Sequence, residues 1–331
     1  RLGGTLGDTL VSVTATSDGG FLLGGWSTSS STGDKTDPSQ SGSVDYWAVK
    51  VDNNGDVVWD KTYGGSAIDH LTSVTETSDN YYLLGGYSNS NAGGDKSQNA
   101  YSSTYDYWLI KVKSATGQKV WDKRFGATED DFLYSVRETK DRKYLLAGYI
   151  GKMQNNDVTD TVYGREDYWV LKLDTNGTTQ IWNRTFGGSK DEHLFSMEPV
   201  KFDTDSGFVL AGFSLSARGS GNKSDTLYAT DTPDYWVVRI DKNGNKVWDR
   251  TFGGTATEGL FNEHHIDIKE TRNRGWFVGG GSISAISTGN KTDTLYNNTY
   301  DYWTVRIDSS GTKLWDRSFG GNHNDYLTAV D

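Results

Sequence analysis

The tripeptide Asp-Tyr-Trp begins at residues 45, 106, 167, 234 and 301, and a second tryptophan follows each copy, at Trp59, Trp121, Trp182, Trp248 and Trp315. Between the two lies a short stretch ending in Gly55, Gly117, Gly177, Gly244 or Gly311. Alternating β-branched and aromatic residues on either side of such a stretch predict a β-hairpin, and the glycine supplies the positive φ that a tight turn needs. A hairpin written five times cannot bury its apolar faces alone, so the chain must stack its units against one another.

A second hairpin precedes each of these. Asp8–Thr16, a turn at Ser17–Gly20 and Phe21–Ser27 form its first copy, which returns over 69–88, 131–149, 192–214 and 258–282. One unit is thus four strands, A to D, and successive Asp-Tyr-Trp sites are spaced by 61, 61, 67 and 67 residues. A four-strand unit at such a period predicts an all-β chain, a β-propeller of four-stranded antiparallel blades. Blades span residues 5–65, 66–127, 128–188, 189–254 and 255–321, and a partial strand A follows at 322–331. Apolar pairs in strand B, such as Leu22-Leu23 and Leu83-Leu84, suit a sheet buried on both faces. The repeat tryptophans read as filler between blades. Because strand A is written once more than the other strands, six or more blades is the alternative to five. Arg1–Gly4 matches the end of a repeat, so the single domain 1–331 reads as excised from a longer chain with other domains.

The chain has 40 glycines, 12 tryptophans, 3 prolines and no cysteine, which excludes a disulfide framework and a thiolate site. No apolar run reaches the length of a membrane-spanning helix. A formal charge of −11 argues against nucleic acid, whose phosphates it would repel, and is compatible with cations or neutral sugars.

The unit Asp-Tyr-Trp-x-Val-Lys-x-Asp-x-x-Gly-x-x-x-Trp-Asp-Lys-x-Phe-Gly-Gly is clearest over Asp45–Gly65, with Ser17–Lys35 beside it. It resembles a repeat family of secreted Bacteroidota proteins, large surface proteins often bearing a type-nine secretion sorting domain. The resemblance covers the whole chain and implies a propeller-like fold and an extracellular or cell-surface location. It implies little about activity, and no sorting domain is present in this sequence. A looser likeness to quinoprotein propellers rests on the spacing of Asp52, Gly55 and Trp59, which is a packing device and does not imply a quinone.

The residues beyond those needed for four strands collect in the B–C connections, at 28–44, 89–105, 150–166, 215–233 and 283–300. Insertions repeated on one face of a repeat protein mark a binding face. Four of these loops share Gly-Asp/Asn-Lys: Asp34 and Lys35, Asp95 and Lys96, then Asn222, Lys223, Asp225 and Tyr228, then Asn290, Lys291, Asp293 and Tyr296. Amide, carboxylate and ammonium groups with a ring for the apolar sugar face suit a glycan. The competing reading is a loop tied together by its own polar groups. The third loop departs from the pattern over Lys152–Asp160.

A carboxylate also opens every strand A, at Asp8, Asp69, Asp131, Glu192 and Glu258, and again at Asp325. Grouped at an axial mouth these oxygens would suit Ca²⁺; alternatively each caps its own turn by accepting backbone N–H bonds. The cations Lys50, Lys111, Lys172, Arg239 and Arg306 read as partners in ion pairs that fix register. The histidines His70, His193, His264, His265 and His323 have no chelating spacing, and no nucleophile-elbow or zinc-protease motif occurs.

Three functions compete. The first is an extracellular binding or adhesion module that takes a glycan or surface partner on its long loops. The second is a spacer or shield in a large surface protein. The third is a propeller glycoside hydrolase, disfavoured because a hydrolase needs two carboxylates in different environments and these look alike from blade to blade.

Overall fold

The computed structural model describes residues 2–152, 157–202, 207–259 and 266–330. His264, His265 and part of the third B–C loop lie outside them. The described residues form five four-stranded antiparallel sheets, each a meander in chain order. Sheet 1 holds β1 (Asp8–Ala15), β2 (Phe21–Ser27), β3 (Asp45–Val51) and β4 (Val57–Tyr63). Sheet 2 holds β5 (Asp69–Glu76), β6 (Tyr81–Ser88), β7 (Asp106–Lys113) and β8 (Lys119–Phe125). Sheet 3 holds β9 (Asp131–Glu138), β10 (Tyr144–Gly151), β11 (Glu166–Leu173) and β12 (Gln180–Phe186). Sheet 4 holds β13 (Glu192–Pro199), β14 (Phe208–Ser214), β15 (Asp234–Ile240) and β16 (Lys246–Phe252). Sheet 5 holds β17 (Asp267–Thr271), β18 (Gly275–Ser282), β19 (Asp301–Asp308) and β20 (Lys313–Phe319).

The turn chemistry is as read from the C–D hairpins. Gly55, Gly117, Gly177, Gly244 and Gly311 have φ of 87°, 68°, 66°, 82° and 81°, a region that costs a side chain energy. The A–B turns are less strict, since Asn80, Arg142 and Arg274 take the left-handed position that Gly19 takes in the first. Lys50, Lys111 and Lys172 reach across their own sheet to the A–B turn carboxylates Asp18, Asp79 and Asp141, at 3.0, 2.8 and 3.0 Å.

The chain comprises two compact units. The first is Arg1–Leu146 with Met153–Thr159 and Leu171–Ile181; the second is Ala147–Lys152, Asp160–Val170 and Trp182–Asp331. In the first unit, strand β5 packs on β1, β2 and β3, with Leu71 and Val74 seated over the bare backbone of Gly24. Its core joins Tyr46, Ala48 and Trp59 of sheet 1 to Leu84, Trp108, Ile110 and Val112 of sheet 2. In the second unit, β17 packs on β13 and β14, and the core runs through Phe213, Tyr235, Trp276 and Trp303. Both faces of each inner sheet are therefore apolar, as the strand-B pairs predicted.

Two sheet faces depart from the pattern. Leu10 and Val13 are 58% and 54% exposed, whereas the corresponding Leu71 and Val74 are buried. Trp315 is 43% exposed, while Trp59 is buried and Trp121, Trp182 and Trp248 are half-buried. Uniform burial of the second tryptophan is thus corrected: Trp59 packs on Tyr82 of the following sheet, whereas Trp315 meets Phe277 of its own sheet and is followed by a short described segment. That segment, 322–330, forms no strand among the described residues, although Leu327 and Val330 lie over Gly279 as Leu71 and Val74 lie over Gly24.

Candidate functional site: the B–C loops and their floor

Each Gly-Asp/Asn-Lys loop is built around its lysine. Gly33, Gly94, Gly221 and Gly289 take φ of 62°, 56°, 55° and 57°. A Cβ there would strike the carbonyl of Gly3, Gly64, Gly187 or Gly253. The turn aims the side chain two residues after the glycine inward, so Lys35, Lys96, Lys223 and Lys291 are all buried. Their ammonium groups lie over the indoles of Trp47, Trp108, Trp236 and Trp303, at 5.7, 5.7, 5.1 and 4.8 Å from the ring centres. Lys223 donates to Thr251 Oγ1 at 2.6 Å, Lys291 to Ser318 Oγ at 2.8 Å, Lys96 to Ser88 Oγ at 2.6 Å, and Lys35 to Thr62 Oγ1. Burial pushes the ammonium pKa of Lys96, Lys223 and Lys291 down to about 8, against the pull of nearby carboxylates.

The aspartate after the second tryptophan latches the loop. Asp249 accepts the Ser224 backbone N–H at 2.9 Å and the Trp236 indole N–H at 3.0 Å; Asp316 does the same for Thr292 and Trp303, at 2.9 and 3.0 Å. Asp60 and Asp122 repeat the arrangement with Thr36 and Trp47, and with Ser97 and Trp108. Burial alone would raise Asp249 and Asp316. The Lys246 or Lys313 ammonium and the loop hydrogen bonds outweigh it and hold each at about 2.

The other loop candidates serve the same construction. Asn222 accepts from Gly187 N–H at 2.9 Å and donates to Thr185 carbonyl at 2.8 Å, and Asn290 does so with Gly253 and Thr251 at 2.9 Å each. Asp225 and Asp293 accept the backbone N–H of Thr251 and Ser318 at 2.7 and 2.8 Å. Tyr228 packs against Gly289 of the following loop, as Tyr163 packs against Gly221. Tyr296 is exposed; Asp34 is exposed and Asp95 half-buried. The geometry observed for Lys35, Lys96, Lys223, Lys291, Asn222, Asn290, Asp225 and Asp293 is therefore that of a self-tied loop.

The strand-A carboxylates cap the turn before them. Asp8, Asp69, Asp131, Glu192 and Glu258 accept the backbone N–H four residues upstream, from Gly4, Gly65, Ala127, Gly188 and Gly254, at 2.7, 2.8, 2.5, 2.7 and 3.0 Å. Serine hydroxyls complete the cap, Ser214 on Glu192 at 2.7 Å and Ser282 on Glu258 at 2.8 Å. Among the described residues no three His, Cys, Asp or Glu side chains gather into a metal-holding set. The arrangement observed for Asp8, Asp69, Asp131, Glu192 and Glu258 is thus the turn cap, the alternative to a shared Ca²⁺ site, with a carboxylate oxygen of each spent on its own backbone.

What the sequence reading passed over is aromatic. In the first unit Trp26 stacks on His70 with centroids 5.1 Å apart and planes at 4°, and His70 Nδ1 lies 2.9 Å from the Tyr87 hydroxyl. Tyr87 meets Tyr105 and Phe132 edge-on, at 5.4 and 4.8 Å. All five side chains are partly exposed, and they lie at the strand ends from which the B–C loops leave. The second unit has a buried counterpart, Tyr149 stacked on His193 at 3.9 Å, with Glu166 bonded to the imidazole. The available signal was the recurrence of a ring after three of the strand-A carboxylates (His70, Phe132, His193) and before the last serine of strand B in three repeats (Trp26, Tyr87, Phe213).

No protein-family model and no curated protein matches this sequence. Among solved structures, the chain is similar to a protein of unknown function from Dyadobacter fermentans, with 10% identity over 93% of this chain and 82% of that one and a TM-score of 0.49. It is similar to a GH43 β-xylosidase/α-arabinofuranosidase from a compost metagenome, with 12% identity over 92% and 93% and a TM-score of 0.43. It is similar also to a Synechocystis apocarotenoid oxygenase, with 10% identity and a TM-score of 0.45, covering 93% of this chain and 60% of the oxygenase.

Proposed function

We propose that this chain is a propeller-type binding module that works outside the cell or on its surface and takes a glycan on the face bearing the B–C loops. The observation that carries the reading is the partly exposed aromatic group Trp26, His70, Tyr87, Tyr105 and Phe132. Aromatic edges and faces beside hydroxyl and carboxylate groups match a sugar ring, which has an apolar face and a polar rim. The exposed ring of Tyr296 offers a second contact of the same kind in the second unit.

One observation favours the spacer reading instead: the lysines and asparagines of the loops are spent on the loops themselves. The hydrolase reading requires an acid and a base open to substrate, and the strand-A carboxylates Asp69, Asp131, Glu192 and Glu258 are buried. A glycan array separates the first two readings. The expected result is retention of a defined glycan class, independent of Ca²⁺, which Trp26→Ala and Tyr105→Ala weaken at least tenfold while the melting temperature stays close to that of the parent. Binding that survives both changes, or no binding to any glycan, defeats the proposal.

A further inference from the structure

In three repeats the Asp-Tyr-Trp aspartate meets the strand-A carboxylate of the next sheet under the glycine that follows the last phenylalanine of strand D. A Cβ on Gly253 would overlap both Asp234 Oδ1 and Glu258 Oε2; Gly187 stands in the same relation to Asp167 and Glu192, and Gly126 to Asp106 and Asp131. All six acids are buried or nearly so, and glycine leaves no side chain to separate them. In the Asp234–Glu258 pair, Asp234 Oδ2 accepts the Tyr228 backbone N–H at 2.8 Å. Glu258 Oε2 accepts from Gly254 at 3.0 Å and Oε1 from Ser282 at 2.8 Å. The remaining oxygen, Asp234 Oδ1, is fully buried, has no donor and faces Glu258. Asp106 Oδ1 is left in the same state.

A carboxylate oxygen without a donor, packed against a second carboxylate in a site closed to water, is costly unless it carries a hydrogen. We propose that the Asp234–Glu258 junction, and with it Asp106–Asp131, binds one proton shared between two carboxyl groups; Asp167 Oδ1 differs in accepting the Gly164 backbone N–H at 3.2 Å. In the first, the proton sits on Asp234 Oδ1 and is donated to Glu258 Oε2. Glu258 is the acceptor of the pair because three donors already serve it, counting Ser284. Lys223 and Lys291 face the pair from the two neighbouring loops, and Tyr228, Tyr235 and Tyr300 are the other titratable groups beside it. Burial and the Glu258 charge push the Asp234 carboxyl far above the ordinary range; burial raises Asp106 to about 7.

Asp234→Asn tests this directly, because an amide nitrogen at the Oδ1 position donates permanently to Glu258. A proton held by the folded state and not the unfolded one lowers the folding equilibrium constant about tenfold for each pH unit between about pH 4 and the folded pKa. D234N is expected to fold, and to lose one such factor per pH unit from the parent's dependence between about pH 5 and 8. Glu258→Gln, which points an amide at the donors Gly254 or Ser282, is expected to destabilise more than D234N. Carboxyl ¹³C NMR on the folded parent reads the site even if a variant misfolds, and one carboxyl that stays protonated at pH 6 and vanishes in D234N is expected. Ionisation of every carboxyl at pH 6, or parallel pH profiles for parent and D234N, would overturn the proposal. So would stabilisation of the parent by millimolar Ca²⁺ with loss of the protonated carboxyl signal, which would make the junction a cation site.

Discussion

At the scale of the residue, the most informative comparison is between the chain's own repeats. Counting back from Asp160, which accepts the Thr185 backbone N–H at 3.1 Å as Asp37 accepts that of Thr62 at 2.9 Å, Val158 stands where the other loops have lysine. Val158 is buried, and the same repeat has Asn183 where the others have Asp60, Asp122, Asp249 and Asp316. The buried ammonium and the latch carboxylate are thus present together or absent together, as expected if each offsets the other's desolvation. Removing only the anion strands the cation. Asp249→Asn is expected to cost about 3–5 kcal/mol, and Lys223→Val with Asp249→Asn to cost much less than the sum of the single changes. Urea denaturation of the four proteins measures this; additive costs would mean that Lys223 and Asp249 do not act as a pair. This pairing was not legible beforehand. The sequence shows a polar loop and a polar strand end about 25 residues apart, and only the left-handed glycine turn, which aims the lysine inward over the indole, joins them.

At the scale of the element, most of the architecture was legible because the signals were local. Alternation marks the strands, and Gly55 and its four counterparts mark the C–D turns by a steric requirement that no neighbour can change. Burial of the second tryptophan was less legible, because its cover comes from the sheet after its own. Trp59 lies 6.2 Å from Tyr82 of sheet 2 and donates its indole N–H to the Ser114 carbonyl at 2.9 Å. Trp315 meets Phe277 of its own sheet at 5.8 Å and remains exposed. Trp59→Ala is therefore expected to cost about 3–5 kcal/mol, and Trp315→Ala roughly 1–2 kcal/mol, since only part of its surface leaves water on folding. Equal costs in a denaturation series would show that β20 has a cover of its own. The aromatic group around His70 was half legible in the same sense: its positions recur in sequence, but stacking depends on two strands from different sheets.

At the scale of the whole molecule, the buried acids set the pH dependence of stability. Asp45 and Asp106 are raised by burial to about 7, and Asp69, Asp167, Asp234, Glu192 and Glu258 are raised for the same first reason. A carboxyl whose folded pKa exceeds its unfolded value binds more protons folded than unfolded. Its contribution is fully present below the unfolded pKa of about 4 and is lost as pH rises through the folded value. Asp249 and Asp316, held at about 2, act oppositely: their contribution is present above about pH 4 and is lost as pH falls towards 2. Lys96, Lys223 and Lys291, pushed to about 8, bind fewer protons folded than unfolded between there and about pH 10, so they return stability only on the alkaline side. The two carboxyl sets meet on the acid side of neutrality, where the formal charge of −11 is also reduced and self-repulsion weakens. The melting temperature is accordingly expected to peak at about pH 4–5 and to fall steadily to about pH 8, below the usual optimum of pH 5–8. Calorimetry across that range at constant ionic strength checks it. A melting temperature that rises between pH 5 and 8 would show that the raised carboxyls are ionised in the folded chain and that the latch aspartates dominate instead.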